Sequence, residues 1–189
     1  MIILASASPR RQELLSLICD NYKIMPSDID ETVSDDISLE NIPEYLATEK
    51  ARHIHNSHYD DVVIGCDTGV FLDNMMLGKP KSKEDAFNML SSLSGKTHKV
   101  ITGCAIFHKD KYLSFSCTTE VEFYELTKDE IDAYIATGDC MDKAGAYGIQ
   151  GKSTIFVKGI NGDFFNVVGL PVAMLNKYLN SIIKRVSLK

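Results

Sequence analysis

The sequence predicts a mixed α/β fold, in which a mixed β-sheet is flanked by helices. Helical and strand-like patterns alternate early in the chain, and two long strand patterns, His98–Phe107 and Tyr112–Tyr124, then follow one another. Polar loops occur where strands end or helices begin, which is where such folds commonly build their sites. With 189 residues, 44% of them apolar, the chain is long enough for a single domain over residues 1–189.

The N-terminal segment predicts a strand, a helix and a second strand. Short apolar runs predict the strands at Ile2–Ala5 and Tyr22–Met25. Between them, Ser8 and Pro9 have the character of a helix N-cap and first helical position, which predicts a helix that runs to about Ile18.

The next segment predicts a helix followed by a buried strand. Asn41, with Glu44 three residues later, predicts a capping box for a helix over Ile42–His55. The β-branched run Val62–Cys66 then predicts a strand that ends at Asp67.

A hairpin and a third helix are expected next. Val70–Leu72 and Met75–Leu77 flank Asp73-Asn74, a pair of residues that is typical of a tight turn. Ser82 and Asp85 stand in a capping-box arrangement at the start of a helix over Ser82–Leu93.

The last part of the chain predicts three further elements after the long strand pair, whose two strands are joined at Lys109-Asp110. Thr127 with Glu130 predicts a capped helix over Thr127–Thr137, and Gly138 ends it. Thr154–Ile160 is predicted as a strand. A final helix is expected to begin near Pro171 and to bury an apolar stripe.

Composition and charge exclude several classes of function. The net charge of −6 and the pI near 5.3 argue against a nucleic-acid-binding protein, which usually has a basic surplus. No apolar run approaches the roughly 18 residues that a membrane span requires, and the N-terminus has no basic leader. Five widely spaced cysteines without a C-x-x-C pair favour reduced thiols, so we expect a cytoplasmic protein without membrane contact.

The segment that follows the first strand has the residues of an anion site. Ser6 and Ser8 supply hydroxyls, and Arg10 and Arg11 supply charge, beside the amides of a helix N-terminus. These groups would form a phosphate cradle. The same residues also fit an ordinary N-cap with arginines on a solvated face.

Two carboxylates are candidates for metal binding. Asp67, next to Thr68, follows a hydrophobic strand and could be a metal ligand, a general base or a cap for the following turn. Glu31 lies in an acidic loop, where a solvated side chain is the alternative. Together, Glu31 and Asp67 would suit Mg²⁺ or Mn²⁺, which prefer hard oxygen ligands.

Two lysines and a glycine-rich loop complete the candidate residues. Lys79, between Gly78 and Pro80, could offer a fixed charge to a phosphate, or could be a surface lysine in a turn. Lys50 by itself fits a solvated helix face. The run 142–151 (DKAGAYGIQG) contains three glycines and Gln150, which indicates a shaped loop rather than a helix or strand. The five histidines show no metal spacing and are interpreted as surface residues.

Taken together, these segments resemble the Maf family of septum-formation-inhibitor-like nucleoside triphosphate pyrophosphatases. The resemblance runs nearly end to end, and although each motif is weak alone, seven in the family's order are highly specific. The motifs are 4–11 (LASASPRR), 49–51 (EKA), 65–68 (GCDT), 77–80 (LGKP), 93–98 (LSGKTH), 142–151 (DKAGAYGIQG) and 166–171 (NVVGLP).

The resemblance implies an inosine-triphosphatase-like fold, usually dimeric, with a cleft between two lobes. It implies metal-assisted hydrolysis of dTTP and UTP to the monophosphate and pyrophosphate, with Mg²⁺ or Mn²⁺ as cofactor, and a homodimer. Asp67 matches the proposed catalytic carboxylate, and Glu31 and Asp67 could supply oxygen ligands to the metal, so that Asp67 is a base, a ligand or both. The remaining matches are substrate-specificity positions at Arg10, Thr68 and Gln150, and phosphate-binding positions at Ser6, Arg11, Lys50 and Lys79.

Three departures and two alternatives accompany the resemblance. Ala7 stands where glycine is frequent, Gly69 stands where a β-branched residue is usual, and Cys66 replaces a common small residue. Gly69 could therefore alter the shape of the pocket. The alternatives are a pyrophosphatase for modified nucleotides such as 7-methyl-GTP, and a nucleotide-responsive regulator of cell division and septum formation.

Overall fold

The computed structural model describes residues 1–187, with side chains described for residues 1–183. It contains seven strands: β1 Ile2–Leu4, β2 Tyr22–Ile24, β3 Val62–Leu72, β4 Met75–Leu77, β5 Thr97–His108, β6 Lys111–Phe123 and β7 Val157–Asn161. Its α-helices are α1 Pro9–Ser16, α2 Ile42–His55, α3 Lys83–Leu93, α4 Lys128–Ala136, α5 Phe164–Val168 and α6 Val172–Ser187.

The strands form one mixed sheet, in the order β2-β1-β3-β5-β6-β7, and β4 pairs with β3. β1 runs parallel to both β2 and β3, whereas β3 with β4 and β6 with β7 are antiparallel pairs. The early alternation of helices and strands accounts for the parallel part, because parallel neighbours require a crossover connection. The predicted fold class is confirmed.

β3 corrects one prediction, because the strand does not end at Asp67. It continues to Leu72, so that Asp67 lies in the middle of an 11-residue strand. Residues 62–64 pair with β1 and residues 70–72 pair with β4. A charged residue between two paired stretches does not end a strand when its own charge has a partner, and here the partner is Lys50.

The helix caps agree with the sequence at α3 and α4 and differ at α1 and α2. Ser82 accepts a hydrogen bond from the Asp85 amide, and Thr127 forms a complete capping box with Glu130. The Ser8 side chain makes no capping bond to α1. Asn41 makes none to α2, because it already has helical dihedrals at the end of a 3₁₀ turn, Leu39–Asn41.

The segment predicted as a strand over Thr154–Ile160 is a strand only in its second half. Residues Lys152–Phe156 form a 3₁₀ turn, and β7 begins at Val157. The Thr154 hydroxyl shares its one hydrogen between the carbonyls of Ile149 (2.9 Å) and Gly151 (2.8 Å), which holds the chain in a turn. The short helix α5 has no apolar periodicity long enough to be predicted.

The described chain divides into two compact units. Unit 1 takes in Met1–Asp67, Thr102–Cys117 and the chain from Gly169 onward, and unit 2 takes in Thr68–Ile101 and Thr118–Val168. The core of unit 1 includes Ile3, Ala5, Ala51, Ile54, Val63, Ala105 and Phe107. The core of unit 2 includes Val70, Leu72, Ala86, Leu90, Leu93, Phe123, Ile131, Tyr134, Tyr147 and Phe156.

Two glycines bring α2 directly against the sheet in unit 1. A Cβ atom on Gly65 would lie 2.1 Å from the Ala47 carbonyl oxygen, and one on Gly103 would lie 2.2 Å from the Glu44 amide nitrogen. No real side chain fits at such distances, so glycine is required at both positions for the backbone of α2 to approach this closely.

None of the helices built from the described residues combines the length and the apolar character that crossing a bilayer requires. The buried stripe predicted for the last helix is present in α6, where Leu175, Leu179 and Ile182 are all buried.

Candidate active site

A lysine shared by two carboxylates is the main charged feature of unit 1. The Nζ atom of Lys50 lies 2.6 Å from Asp67 Oδ1 and 2.7 Å from Glu31 Oε1. The side chains of Lys50 and Asp67 are only 12% and 13% exposed, whereas that of Glu31 is 58% exposed. Two acids and one base leave this cluster with a net negative charge, which can attract a cation.

The position of Lys50 follows from the packing of α2. Ala47 and Ala51 of this helix lie against Gly65 of β3, and Lys50 immediately precedes Ala51 at the edge of the buried face. Its aliphatic stem therefore packs beside the sheet while its ammonium group reaches Asp67. The interpretation of Lys50 as a solvated helix residue, taken from its local sequence alone, is wrong.

Arg11 joins three separate segments of unit 1. Its Nε donates to the Gly169 carbonyl (2.9 Å), and its Nη1 donates to the Cys66 carbonyl (2.9 Å) and to Ser6 Oγ (3.2 Å). Ser6 Oγ also accepts a hydrogen bond from the Ser8 amide. The guanidinium thus fixes the backbone one residue before Asp67, in addition to the phosphate-binding role predicted for it.

Arg10 and Ser6 complete the predicted residues at the start of α1. Ser6 is buried, and Arg10 is half-buried in the first turn of the helix. Within unit 1 the structure therefore brings Ser6 to Arg11, and Lys50 to both Asp67 and Glu31.

Two buried thiols lie beside this cluster. Cys66 Sγ and Cys104 Sγ are 3.7 Å apart, and both residues are fully buried. The hydrogen bond from Cys104 lowers the pKa of Cys66, whereas burial raises the pKa of Cys104. The described cysteines are all free thiols.

Unit 2 carries the other predicted residues, Thr68, Lys79 and Gln150. Thr68 is half-buried in β3, whereas Lys79 and Gln150 are exposed. Gly69, which departs from the family pattern, is buried, and a Cβ there would lie 2.8 Å from atoms of Phe71 and Met76. The Phe71 ring and Met76 therefore fill the space of the missing side chain, which keeps the strand packed.

Gly145 connects the segments of unit 2 that carry these residues. Its amide donates a 3.0 Å hydrogen bond to the Gly78 carbonyl, immediately before Lys79. A Cβ on Gly145 would lie 3.0 Å from Val70 Cγ1, and its φ of 68° also favours glycine. The glycine-rich loop is thereby attached to β3 and to the turn that presents Lys79.

The loop that presents Gln150 is held by hydroxyl groups. The Gly148 amide donates to Ser153 Oγ (3.0 Å), and the Ser153 hydroxyl donates back to the Gly148 carbonyl (2.8 Å). Gly151, with φ of 81°, then turns the chain. The prediction of a shaped loop over residues 142–151 is confirmed, and Gln150 lies at its exposed end.

The histidines correct another prediction. His98 is 2% exposed and His55 is 8% exposed, so these two are not surface residues. Along β5, His98 and Val100 face the same side of the sheet, and the exposed Lys99 lies between them. This alternation of residues could have predicted that His98 is buried. Its Nε2 atom is 2.6 Å from the hydroxyl oxygen of Tyr147.

Comparison with known proteins gives a match over nearly the whole chain. A family model described as Maf-like protein matches residues 1–182. The dTTP/UTP pyrophosphatase of Bacillus anthracis (strain CDC 684 / NRRL 3495) is 49% identical over 178 residues, which cover 94% of this chain and 93% of the relative. The protein of the same name from Bacillus cytotoxicus is 49% identical over 177 residues, with the same coverage.

A solved structure is similar in fold. A HAM1 protein from Coxiella burnetii superposes with a TM-score of 0.56 and 16% sequence identity, covering 95% of this chain and 98% of that chain. At this level of identity the likeness concerns the fold alone, and it agrees with the mixed sheet flanked by helices.

Proposed function

The chain belongs to the Maf-like protein family, and on that premise we propose that it is a nucleoside triphosphate pyrophosphatase acting on dTTP and UTP. The products are the nucleoside monophosphate and pyrophosphate. The observation that carries the proposal is the 49% identity, over 94% of the chain, to relatives named dTTP/UTP pyrophosphatase. The Lys50–Asp67–Glu31 cluster supplies groups suited to this chemistry.

Glu31 and Asp67 fit a divalent metal ion of the Mg²⁺ type. Their oxygens share one ammonium group at 2.6–2.7 Å, so both can approach a single cation. The described part of the chain holds no cluster of three metal-ligating residues. A metal held here would take its other ligands from phosphate and water, which is the usual arrangement for Mg²⁺. When bound, it offsets the negative charge of the triphosphate.

Asp67 is the proposed general base. In hydrolysis between the α and β phosphates, its carboxylate orients a water molecule and accepts a proton as the water oxygen attacks the α-phosphorus. The bond from that phosphorus to the bridging oxygen breaks, and pyrophosphate leaves with the bridging oxygen. Lys50 holds that carboxylate in place by its 2.6 Å contact. Arg11, Lys50 and Lys79 are the proposed cations that neutralise the phosphates, and Ser6 supplies a further hydroxyl.

Gln150, Thr68 and Arg10 are the proposed specificity residues. An amide side chain offers one donor and one acceptor, and the edge of uracil or thymine presents carbonyl and N–H groups in alternation. The exposed position of Gln150, in a loop fixed by Ser153, supports a role in binding the base.

Replacing Gln150 by Leu is expected to lower activity on dTTP and UTP relative to GTP by about 10- to 100-fold. The carbonyl and N–H groups of the bound uracil or thymine then lose their partner, and a polar group left unpaired on binding costs about 1–3 kcal/mol. The measurement is the ratio of kcat/KM values for UTP and GTP. Asn88→Leu is the matched control, because Asn88 is an exposed amide of unit 2 on α3. An unchanged ratio in Gln150→Leu would remove this residue from base recognition.

The proposed activity is tested by pyrophosphate release from dTTP, UTP, CTP, GTP and 7-methyl-GTP, with Mg²⁺, with Mn²⁺ and with a chelator. We expect release to be fastest from dTTP and UTP and to fall to background with the chelator. Release confined to guanine nucleotides would overturn the proposed specificity for dTTP and UTP but would support the proposed pyrophosphatase reaction. No release from any substrate would favour a nucleotide-responsive regulator instead.

We also propose that the protein is a cytoplasmic homodimer and that it is linked to septum formation, as the family resemblance implies. The free thiols support a reducing compartment. Several apolar side chains of β7, α5 and the preceding turn are exposed and offer a contact surface: Ile155, Ile160, Phe164 and Phe165. Light scattering of the purified chain measures the oligomeric state. The net charge of −6 argues against nucleic acid as a partner.

A further inference from the structure

A buried histidine–tyrosine pair lies behind the glycine-rich loop of unit 2. His98 Nε2 and the Tyr147 hydroxyl oxygen are 2.6 Å apart, and the two residues are 2% and 4% exposed. Their rings meet edge to face at 5.3 Å, and each also meets the ring of Phe123, at 4.9 Å and 4.7 Å. Three rings in mutual edge-to-face contact leave the Tyr147 ring little room to shift.

The two side chains together have two polar hydrogens, an N–H and an O–H, but only one of them can take part in the hydrogen bond between the rings. Burial lowers the pKa of His98 to about 4 and raises that of Tyr147, so at neutral pH both groups are uncharged. The imidazole then has one N–H and the phenol has one O–H, but they share one bond. His98 Nδ1 is buried and has no hydrogen-bond partner among the described residues. A wholly apolar pair would avoid this cost, so stability alone does not explain the pair.

Tyr147 is the residue from which the loop continues to Gln150. The chain reaches it through Gly145 and Ala146, both with positive φ, 68° and 61°. For alanine such a φ is strained and persists only where the surroundings impose it. After Tyr147, the two hydrogen bonds between Gly148 and Ser153 leave one residue before Gln150. The orientation of Tyr147 therefore determines where the loop presents Gln150.

We propose that His98 and Tyr147 are positioning residues for substrate specificity, and that their buried hydrogen bond fixes the loop which presents Gln150 to the base. This inference rests on the proposed function, since it assigns the two residues to recognition of dTTP and UTP. The edge-to-face packing limits the Tyr147 ring to small shifts, and the hydrogen bond restricts those further because it is satisfied in one orientation only. The polar pair therefore defines the position of the loop more narrowly than packing alone.

The test compares two variants with a matched control. Tyr147→Phe removes the hydroxyl, and the double variant His98→Leu/Tyr147→Phe removes both polar partners. Ile131→Val is the control, because Ile131 is 2% exposed in the same core and belongs to α4. For each protein we would measure kcat and KM on dTTP and GTP, the Tm, and hydrogen exchange of the amides in residues 142–151.

We expect Tyr147→Phe to raise KM for dTTP by about tenfold, with kcat changed by less than about threefold and KM for GTP little affected. The double variant should recover the Tm and keep the raised KM, because it no longer buries the unpaired imidazole that Tyr147→Phe leaves behind, yet it still lacks the orienting bond. Exchange in residues 142–151 should accelerate in both variants and not in Ile131→Val.

Two results would overturn the inference. One is a KM for dTTP in Tyr147→Phe that equals that of Ile131→Val, and the other is a double variant that recovers KM together with Tm, as a purely structural role requires. If the unmodified protein released no pyrophosphate from dTTP, the proposed function would fail. In that case hydrogen exchange of the amides in residues 142–151 would test the positioning role independently of activity. An exchange rate in Tyr147→Phe equal to that of the unmodified protein would refute that role.

Discussion

Asp67→Asn is expected to lower pyrophosphate release from dTTP by about 10²- to 10⁴-fold, the usual contribution of a positioned general base. Asparagine has nearly the shape of aspartate, but it cannot accept the proton of the attacking water and is a weak ligand for a divalent cation. Because Asp67 is mostly buried and paired, we expect the free energy of unfolding to fall by about 1–3 kcal/mol. Lys50 retains Glu31 as a partner, so the fold survives.

The matched control for this variant is Asp60→Asn. Asp60 also faces a lysine, Lys109, but at 3.7 Å and with its side chain 85% exposed. An exposed ion pair of this kind contributes little, so rate and Tm should both stay near those of the unmodified protein. Single-turnover rates at saturating Mg²⁺ are the decisive measurement. A loss of less than tenfold in Asp67→Asn, measured at a temperature where the variant is folded, would remove Asp67 from the role of base.

Lys50→Met should lower kcat/KM on dTTP by about 10²- to 10³-fold, as expected when one preorganised charge is removed. Methionine keeps the unbranched stem and the helix propensity of lysine, so α2 should remain folded. The ammonium group now lies 2.6–2.7 Å from both Asp67 and Glu31. Without it, the two carboxylates lose their shared cation and repel each other. Since a divalent ion offsets the same charges, a higher Mg²⁺ concentration should restore part of the activity.

Lys128→Met serves as the control for the lysine variant. Lys128 also lies on a helix and pairs with an acid, Asp132, but its side chain is 73% exposed. Its loss should change neither the rate nor its dependence on Mg²⁺. Titration of the initial rate against Mg²⁺ distinguishes the variants, and identical curves for Lys50→Met and Lys128→Met would contradict the assignment of Lys50.

The fold was predictable where the signals are local. Apolar periodicity and the caps at Ser82 and Thr127 locate α3 and α4 within one or two residues of their observed bounds. The errors arose where tertiary contacts decide the local structure. β3 continues through Asp67 because pairing partners lie on both sides of that residue, and Lys152–Phe156 is a turn because the Thr154 hydroxyl bonds backward.

The candidate site was predictable as a set of residues but not as an arrangement. Asp67 and Glu31 could be chosen by their chemistry, yet nothing local indicates that Lys50 lies between them, since that contact joins a helix, a strand and a loop. The burial of His98 was visible in the alternation of β5, but its partner Tyr147 is 49 residues away. Contacts of such long range are set by the packing of the whole unit.

The two glycines beneath α2 have a consequence for how this protein tolerates mutation. Where a helix packs on side chains, each substitution in the core can change its distance from the sheet, and the side chains that the helix carries move as well. Here Gly65 and Gly103 let backbone rest on backbone, whose dimensions do not vary with sequence. The other core residues of unit 1 can therefore vary while the separation of Lys50 from Asp67 is preserved. Gly65 and Gly103 themselves are the positions that cannot be substituted.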